Sequence, residues 1–344
     1  MLGFKAEAGL WPLGAIEHGE PGVPDHERSI RYEYKVVMIS RRAFLHSALV
    51  GGSIVAAGVT RRDLQPDGPT GEFKLEEVSV PIDGLPPAFQ GYTIGFLTDL
   101  HLGVWVPEEW ILRGIDELSK RKVDLLILGG DYILVNEVSL WQELGIVRSE
   151  KFSTMSKREA IPAIYSTITE LFSGRRFPDG IYGVVGNHDH WNAFPVFQQI
   201  MRQQRDLSIL INEEVQITRG EQRLYVFGVD DYLTGLPSAP PSQPMVPGVS
   251  ARIIVSHNPD YIAALLHQPQ HSFALAMCGH THGGQIVLPG LGPIAAQVVD
   301  RRFVSGMHSI ENGSVYTSRG LGVVGLPFRV NCPAEVTVFT LVGT

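Results

Sequence analysis

The stretch IYGVVGNHDH, residues 181–190, joins a short apolar run to a small residue and then to a group of possible metal ligands. The same order recurs four more times: residues 92–98 lead into Asp99 and His101, 125–128 into Gly129-Gly130-Asp131, 252–255 into Ser256-His257, and 273–278 into Gly279-His280-Thr281-His282. Apolar runs rich in Ile, Val and Leu are typical of buried strands, and the carboxyl ends of strands in an open α/β sheet share one crevice. The sequence therefore predicts that two carboxylates, one amide and several imidazoles surround a single point, which suits a pair of divalent metal ions.

Length and composition limit the kind of protein that this chain can be. It has 344 residues, 44% of them hydrophobic, which suffices for one large domain or two small ones. The formal net charge is −8 without a long basic run, so we expect no nucleic-acid partner, because binding to a phosphate backbone usually needs a positive face. Only Cys278 and Cys332 are present, both in apolar stretches, which favours buried free thiols and leaves a bridge between them open.

The N-terminal part of the chain differs from the rest. Residues 1–37 carry Gly, Pro and charge without periodicity, and we predict a disordered or untranslated extension with Met38 as the true start. The segment 38–60 is similar to a twin-arginine export signal, since Ser40-Arg41-Arg42-x-Phe44-Leu45 precedes a run of small residues. That run is short for a membrane span, which takes about 20 residues. We expect export by the twin-arginine machinery to the periplasm or the outer face of the cytoplasmic membrane; the alternative is an ordinary Arg-Arg pair before a core helix.

After a Pro/Gly/Asp linker at 61–72, residues 73–344 are predicted to form one domain. Strands are expected at 73–82, 223–229, 315–318 and 335–341, in addition to the five apolar runs. Residues 107–120 have helical spacing, with Trp110, Ile111, Ile115 and Leu118 on one face. The insertion 138–174 contains a helical part at 160–172, which could be a lid over the crevice or a packed crossover. Helices between strands indicate two sheets packed face to face with helices outside.

The ligand types predict a reaction class. Carboxylate oxygen can bridge two ions, and imidazole nitrogen suits Zn, Fe, Mn or Co better than Mg or Ca. Two divalent ions, the carboxylates of Asp99 and Asp131 and a bridging hydroxide would leave about one positive charge, so the site should attract an anion such as a phosphate ester. A metal pair lowers the pKa of a bound water and holds the phosphoryl oxygens of an in-line displacement. His188, beside the predicted ligand Asn187, is the candidate donor of the proton that the leaving group needs.

These residues also carry a resemblance to a known family. Asp99-x-His101, Gly130-Asp131, Gly186-Asn187-His188-Asp189, His257 and Gly279-His280-Thr281-His282 resemble the signature set of calcineurin-like metallophosphoesterases, over nearly all of the chain from Phe73 onward. The resemblance implies an α/β fold, a four-layer α/β/β/α sandwich of two mixed β-sheets flanked by helices. It implies that Asp99, His101, Asp131 and His282 hold the first metal ion and that Asp131, Asn187, His257 and His280 hold the second. His188 would then be the general acid.

One departure from the family pattern concerns the surroundings of the acid. Many relatives carry a second Asp and then an Arg shortly after Gly-Asp, but here Leu134 occupies the Asp position and no Arg follows. Asp189 or Asp231 could replace the missing partner of the catalytic His, and Arg319 could replace the missing phosphate contact. His190, directly after Asp189, either lines the rim of the crevice or only packs there.

The sequence thus favours an exported phosphodiesterase or pyrophosphatase that uses two divalent ions (Mn, Zn or Fe). Finer motifs, Gly283-Gly284-Gln285-Ile286 among them, resemble a bacterial branch that is similar to enzymes hydrolysing UDP-2,3-diacylglucosamine. This resemblance implies that the substrate is a phosphate ester of the cell envelope, which could be lipid-linked. It also implies peripheral contact of the protein with the membrane. The first alternative is a phosphomonoesterase or nucleotidase on the same site. A more distant one is a non-catalytic interaction module.

Overall fold

The computed structural model describes residues 71–135, 149–268, 270–311 and 313–344. The predicted extension 1–37, the export segment 38–60, nearly all of the linker and part of the insertion 138–174 lie outside these residues. Within the described ranges, no helix combines the length and the apolar character that crossing a bilayer would require.

Strands and helices alternate along the chain. The strands are β1 (Lys74–Ile82), β2 (Thr93–Leu97), β3 (Leu102–Gly103), β4 (Leu125–Leu128), β5 (Ile133–Leu134), β6 (Ile181–Gly183), β7 (Ser208–Ile209), β8 (Glu213–Arg219), β9 (Gln222–Gly228), β10 (Ser250–Val255), β11 (Leu275–Cys278), β12 (Val287–Leu288), β13 (Gly292–Pro293), β14 (Gly306–Ile310), β15 (Gly313–Thr317) and β16 (Glu335–Gly343). The α-helices are α1 (Glu108–Arg121), α2 (Glu150–Ser153), α3 (Lys157–Phe172), α4 (Asn187–Trp191), α5 (Phe194–Met201) and α6 (Pro259–Leu265). Single 3₁₀ turns lie at Pro87–Phe89, His282–Gly284 and Arg301–Val304.

Two mixed six-stranded sheets form the centre of the domain. The first has the order β1-β16-β2-β4-β6-β7, in which β16 and β2 are antiparallel and every other neighbouring pair is parallel. The second has the order β14-β15-β11-β10-β9-β8, with a parallel centre and antiparallel pairs at both edges. The predicted apolar runs 92–98, 125–128, 181–185, 252–255 and 273–278 correspond to β2, β4, β6, β10 and β11.

The buried side chains divide into layers that follow from this arrangement. One cluster lies between the sheets, where Ile94 and Phe96 of β2 meet Val226 of β9 and Ile253 of β10. The opposite faces of the two sheets are covered by helices, α1 and α3 on the first sheet and α6 on the second. Because successive strand residues point to opposite faces, each central strand contributes to two of these clusters. The predicted four-layer α/β/β/α sandwich of two mixed sheets is confirmed.

The helix α1 matches its prediction closely. It starts after Pro107, carries Glu108 and Glu109 in its first turn, where acidic groups complement the helix dipole, and ends at a left-handed Lys122. The predicted apolar face is buried against the first sheet, and the indole Nε1 of Trp110 donates to the carbonyl of Leu321 at 2.9 Å. This contact ties α1 to the loop that precedes β16.

The described part of the insertion is a packed layer. Helix α3 begins three residues earlier than predicted, because Ser156 and Glu159 form a capping box. Ile164, Tyr165 and Ile168 of α3 are buried in the cluster beneath the first sheet. This part of the insertion is therefore a crossover, as one of the two sequence-based alternatives proposed.

Candidate metal centre

The predicted ligands meet at one edge of the two facing sheets. Asp99 and His101 follow β2, Asp131 follows β4, Asn187 opens α4 after β6, His257 follows β10, and His280 and His282 follow β11. These five strands are neighbours in their sheets and end at the same edge. The side chains of all seven residues are buried.

The first group of ligand atoms belongs to Asp99, His101 and His282, and these atoms lie within 4.8 Å of one another. The two imidazole Nε2 atoms of His101 and His282 are 3.1 Å apart, and Nε2 of His282 is 3.3 Å from Oδ1 of Asp99. Two lone-pair nitrogens and a carboxylate that converge in this way could hold a transition-metal ion.

The second group belongs to Asp131, His257 and His280, within the same 4.8 Å limit. Oδ2 of Asp131 is 3.2 Å from Nε2 of His257 and 3.6 Å from Nε2 of His101 in the first group. The Asp131 carboxylate therefore lies between the two groups, in the place that a ligand shared by two ions would need.

Unpartnered buried atoms support the fit of metal ions to this site. Oδ1 of Asn187 and Nε2 of His257 are buried and form no hydrogen bond. Nδ1 of His257 lies 2.8 Å from the carbonyl oxygen of Gly129, and donation to this carbonyl leaves Nε2 as the atom that would bind an ion. Because an unsatisfied buried polar group is costly, the unpartnered amide oxygen of Asn187 and imidazole nitrogen of His257 fit a site that would hold a cation.

Burial and neighbouring charges set the protonation of the ligands. Burial lowers the pKa of His101 and of His280 to about 3 and that of His282 well below its usual value, so these rings are neutral, as a ligand must be. Burial also acts to lower the pKa of His257, but the carboxylates of Asp131 and Asp99 outweigh it and raise the value to about 10. A proton on the His257 ring thus balances the negative charge of Asp131 and Asp99, which a bound cation would balance in its place.

The backbone at the site is held in uncommon conformations. Asp99, His101, Asp131, His280 and His282 all have φ between 46° and 70°, the left-handed region that non-glycine residues rarely adopt. Such strain persists only where surrounding contacts impose it, and it concentrates at functional sites. At Gly186 a Cβ atom would collide with the Asp131 carboxylate, so glycine is required for this close approach.

His188 lies beside both groups. One of its ring nitrogens is within 4.8 Å of the ligand atoms of His101 and Asp131, and its backbone N–H donates to Oδ1 of Asp131 at 2.8 Å. Its side chain is only partly buried, whereas the seven candidate ligands are buried. The ring therefore stands where the site opens to solvent.

The Asp189 carboxylate is turned toward the backbone. It accepts hydrogen bonds from the N–H groups of Asp131 (2.9 Å), Gly186 (3.0 Å) and Tyr132 (3.1 Å). Burial and the charge of Asp131 raise the pKa of Asp189 to about 8. These bonds join the loop after β4 to the loop after β6, so Asp189 fixes the backbone that carries Asp131 and Asn187.

His190 and Asp231 are both held by contacts close to them in the fold. Nε2 of His190 is 3.0 Å from Oδ1 of Asp230, and its ring stacks on Phe194. Oδ2 of Asp231 accepts from Leu233, Thr234 and the Thr234 hydroxyl, while its Oδ1 is buried without a hydrogen bond. Among the described residues, neither Asp189 nor Asp231 forms an ion pair with the His188 ring.

Arg319, the candidate phosphate contact, is engaged by carboxylates. Its Nη2 lies 2.6 Å from Oε1 of Glu76 and 3.0 Å from Oε2 of Glu335, and its Nε donates to the carbonyl of Pro333. A substrate phosphate would have to compete with these two acids for the guanidinium.

Arg329 is a residue of the site region that sequence reasoning missed. Its fully buried guanidinium donates to the carbonyls of Arg319, Gly320, Gly322 and His282, and Nη2 lies 3.3 Å from Nδ1 of His282. It holds the His282 loop against the loop before β16. An Arg in an irregular segment has no local sequence signal for such a role, because its partners are carbonyls distant in the chain.

Comparisons with known proteins agree on one family. The calcineurin-like phosphoesterase family matches residues 92–284, a range that contains every predicted metal ligand. Phosphodiesterase YaeI of Escherichia coli (strain K12) is 31% identical over 255 residues, which cover 73% of this chain and 82% of that protein. The uncharacterized metallophosphoesterase YkuE of Bacillus subtilis (strain 168) is 25% identical over 312 residues, 89% of this chain and 99% of that protein.

Proposed function

Because this chain belongs to the calcineurin-like phosphoesterase family and is a metal-dependent phosphoester hydrolase, we propose that it hydrolyses a phosphodiester or a pyrophosphate of the cell envelope. The observation that carries the proposal is the Asp131 carboxylate, which lies between two groups of buried ligands. A similar protein named as a phosphodiesterase supports the diester over the monoester.

The seven predicted ligands would hold two divalent ions, of Mn, Zn or Fe. Asp99, His101 and His282 would bind one ion, and Asn187, His257 and His280 the other, with Asp131 shared between them. When bound, such a pair activates water and neutralises the phosphoryl oxygens. The chain's own part is to enclose the pair and to fix its ligands through Gly129, Asp189 and Arg329.

His188 would serve as the general acid. The bond between phosphorus and the leaving oxygen breaks, the oxygen of water stays on phosphorus, and the ring of His188 gives its proton to the leaving oxygen. Its partly exposed position beside Asp131 suits this role, because the leaving group must face the open side of the site. His190, whose ring is paired with Asp230, and Asp231 would help to bind the substrate.

The His188→Ala variant tests the role of the acid. We expect turnover of an unactivated diester to fall by about 10²–10⁴ while two ions per chain remain. Elemental analysis and steady-state kinetics on the same preparation measure both. Loss of metal from His188→Ala would make His188 a ligand and contradict its role as the acid.

Substrate class is tested by comparing diester and monoester rates. Purified protein loaded separately with Mn²⁺, Zn²⁺ or Fe²⁺ should hydrolyse bis-p-nitrophenyl phosphate faster than p-nitrophenyl phosphate. A preference for the monoester would favour the phosphomonoesterase or nucleotidase alternative. Failure on both substrates with every metal would contradict the phosphodiesterase and the phosphomonoesterase alike, and would leave the pyrophosphatase and the non-catalytic interaction module, which a pyrophosphate substrate would separate.

Exposed apolar side chains support contact with a membrane and a lipid-linked substrate. Eight large apolar side chains are exposed in the described residues, and six of them follow the carboxyl ends of strands that carry the candidate ligands or of strands next to these. The six are Trp191, Leu233, Leu236, Leu291, Ile294 and Val299. Leu291 is 80% exposed and lies in the turn between β12 and β13, and Ile294 is 61% exposed and directly follows β13. Exposed aliphatic groups on such a hairpin suit insertion into the headgroup region of a bilayer.

Vesicle sedimentation tests this surface. The double variant Leu291→Glu/Ile294→Glu should release the protein from vesicles made of bacterial envelope lipids. Val246→Glu is a matched control, because Val246 is also exposed but precedes β10 at the opposite edge of the sheet. Equal binding of both variants and the unaltered chain would contradict membrane contact through this loop.

Export by the twin-arginine route completes the proposal and rests on the sequence of segment 38–60 alone. Replacement of Arg41 and Arg42 by Lys should retain the protein in the cytoplasm of a bacterial host, as cell fractionation would detect. Unchanged export of this variant would contradict the route and return the Arg-Arg pair to an ordinary structural role.

A further inference from the structure

Two aromatic rings hold the imidazole of His188. The ring centroid lies 4.8 Å from that of His101 at an interplanar angle of 84°, and 5.1 Å from that of Trp191 at 68°. Both arrangements are edge-to-face, the geometry that the quadrupoles of aromatic rings favour. Within the described ranges, no carboxylate forms an ion pair with His188. The orientation of the His188 ring is therefore set by aromatic contacts and not by a charged hydrogen-bond partner.

Helix geometry brings the Trp191 ring to this place. His188 and Trp191 are three residues apart in α4, so their side chains lie on one face of the helix. The carbonyl of His188 accepts from both the backbone and the side chain of Asn192, which fixes the main chain at that point. The backbone of His188 is thus set by hydrogen bonds, and its ring by the two aromatic neighbours.

Trp191 is not placed by core packing. Its side chain is 60% exposed, whereas the other tryptophans of the described residues, Trp105 and Trp110, are 1% exposed. Within the described residues, the aromatic ring that it contacts is that of His188. His101 is a predicted ligand whose ring a bound ion would fix, which leaves Trp191 as the neighbour that acts on His188 alone.

We propose that Trp191 is a positioning residue for the catalytic acid, restricting the His188 ring to the orientation in which a ring nitrogen faces the leaving oxygen. The inference rests on the proposed role of His188. The bond changes are those already described, and Trp191 takes no part in them. Because Trp191 affects only the proton transfer, the loss of kcat in a Trp191 variant should grow with the leaving group's need for a proton.

A series of diesters with increasingly poor leaving groups tests the inference. Bis-p-nitrophenyl phosphate releases a stable anion that hardly needs an acid, diphenyl phosphate is intermediate, and dibenzyl phosphate depends on proton donation most. For Trp191→Ala we expect kcat on dibenzyl phosphate to fall about tenfold while kcat on bis-p-nitrophenyl phosphate changes less than about twofold, with KM unchanged in both. Trp191→Phe should restore most of the loss, because it keeps an aromatic ring against His188.

Control measurements separate positioning from other roles. Val246→Ala truncates another exposed apolar side chain, at the opposite edge of the sheets, and should leave all three substrates unaffected. Equal losses on the three substrates, a change confined to KM, or full turnover of dibenzyl phosphate by Trp191→Ala would each overturn the inference. Activity of the unaltered chain on bis-p-nitrophenyl phosphate, measured in parallel, shows whether the proposed function itself holds.

Discussion

Replacement of Asp189 by Asn separates two roles that this carboxylate could have. In the sequence-based hypothesis it orients the ring of His188, and the change would reduce turnover but leave stability intact. In the structure it accepts three backbone hydrogen bonds and joins the two loops that carry Asp131 and Asn187. If that is its role, the variant should lose stability and metal together.

The size of the effect follows from the hydrogen bonds. With the Asn oxygen in the Oδ2 position, the bonds from Asp131 and Gly186 survive, but the N–H of Tyr132 meets an amide nitrogen and loses its acceptor. The new NH₂ group is buried, with the Tyr165 hydroxyl 3.5 Å from the atom that it replaces. One unsatisfied N–H and one poorly satisfied NH₂ should together lower the free energy of unfolding by about 2–5 kcal/mol.

Denaturant unfolding of the metal-free protein measures this free energy, and elemental analysis of reloaded protein measures the ions. Asp116→Asn is a matched control: Asp116 is half exposed and paired with Arg175, so its loss should cost less than about 1 kcal/mol. If Asp189→Asn unfolds with the free energy of the unaltered chain and binds two ions, the backbone role is wrong.

Three further predictions concern stability. Arg329→Met should lower the free energy of unfolding by about 3–5 kcal/mol, because it leaves several buried carbonyls without donors. Arg302→Met removes an exposed ion pair and should leave the free energy of unfolding nearly unchanged, so equal losses in the two variants would contradict the role of Arg329. Although burial opposes it, the hydrogen bond to Asp230 raises the pKa of His190. The stabilisation by the His190–Asp230 pair should therefore be complete below the pKa of His190 in the unfolded chain, about 6.5, and should vanish as the pH rises through its pKa in the folded chain. In thermal unfolding, the melting temperatures of His190→Gln and of the unaltered chain should differ more at pH 5.5 than at pH 9. Removal of metal with a chelator should lower the free energy of unfolding by about 2.7 kcal/mol for each ion lost, relative to protein at an ion concentration 100 times the dissociation constant, and Mn²⁺ should restore it; an unchanged melting temperature would argue against bound ions.

Local pattern predicted the strands and the places of the candidate ligands at their ends. The runs before Asp99, Asp131 and His257 are strands within a few residues of the predicted bounds, because a buried strand must be apolar over its whole length. The ends of these strands then fix where the following polar residues lie. Fold class and the convergence of the seven candidate ligands were therefore accessible from sequence.

Contacts between distant loops were not accessible in the same way. The carboxylate of Asp189 binds backbone N–H groups of a loop about 60 residues earlier, and Arg329 binds the carbonyl of His282 about 50 residues earlier. Backbone groups are identical in every residue type, so no sequence pattern identifies them as partners. The ion pairs of Arg319 were also inaccessible, because Glu76 and Glu335 are brought to it by the pairing of β1 with β16.

The metal content of the unaltered chain and of Asp131→Ala tests the central claim most directly. If Asp131 is shared between two neighbouring ions, active protein should contain two ions per chain, and Asp131→Ala should bind at most one and lose turnover of bis-p-nitrophenyl phosphate. A single ion in fully active protein, or two ions and full turnover in Asp131→Ala, would contradict the account.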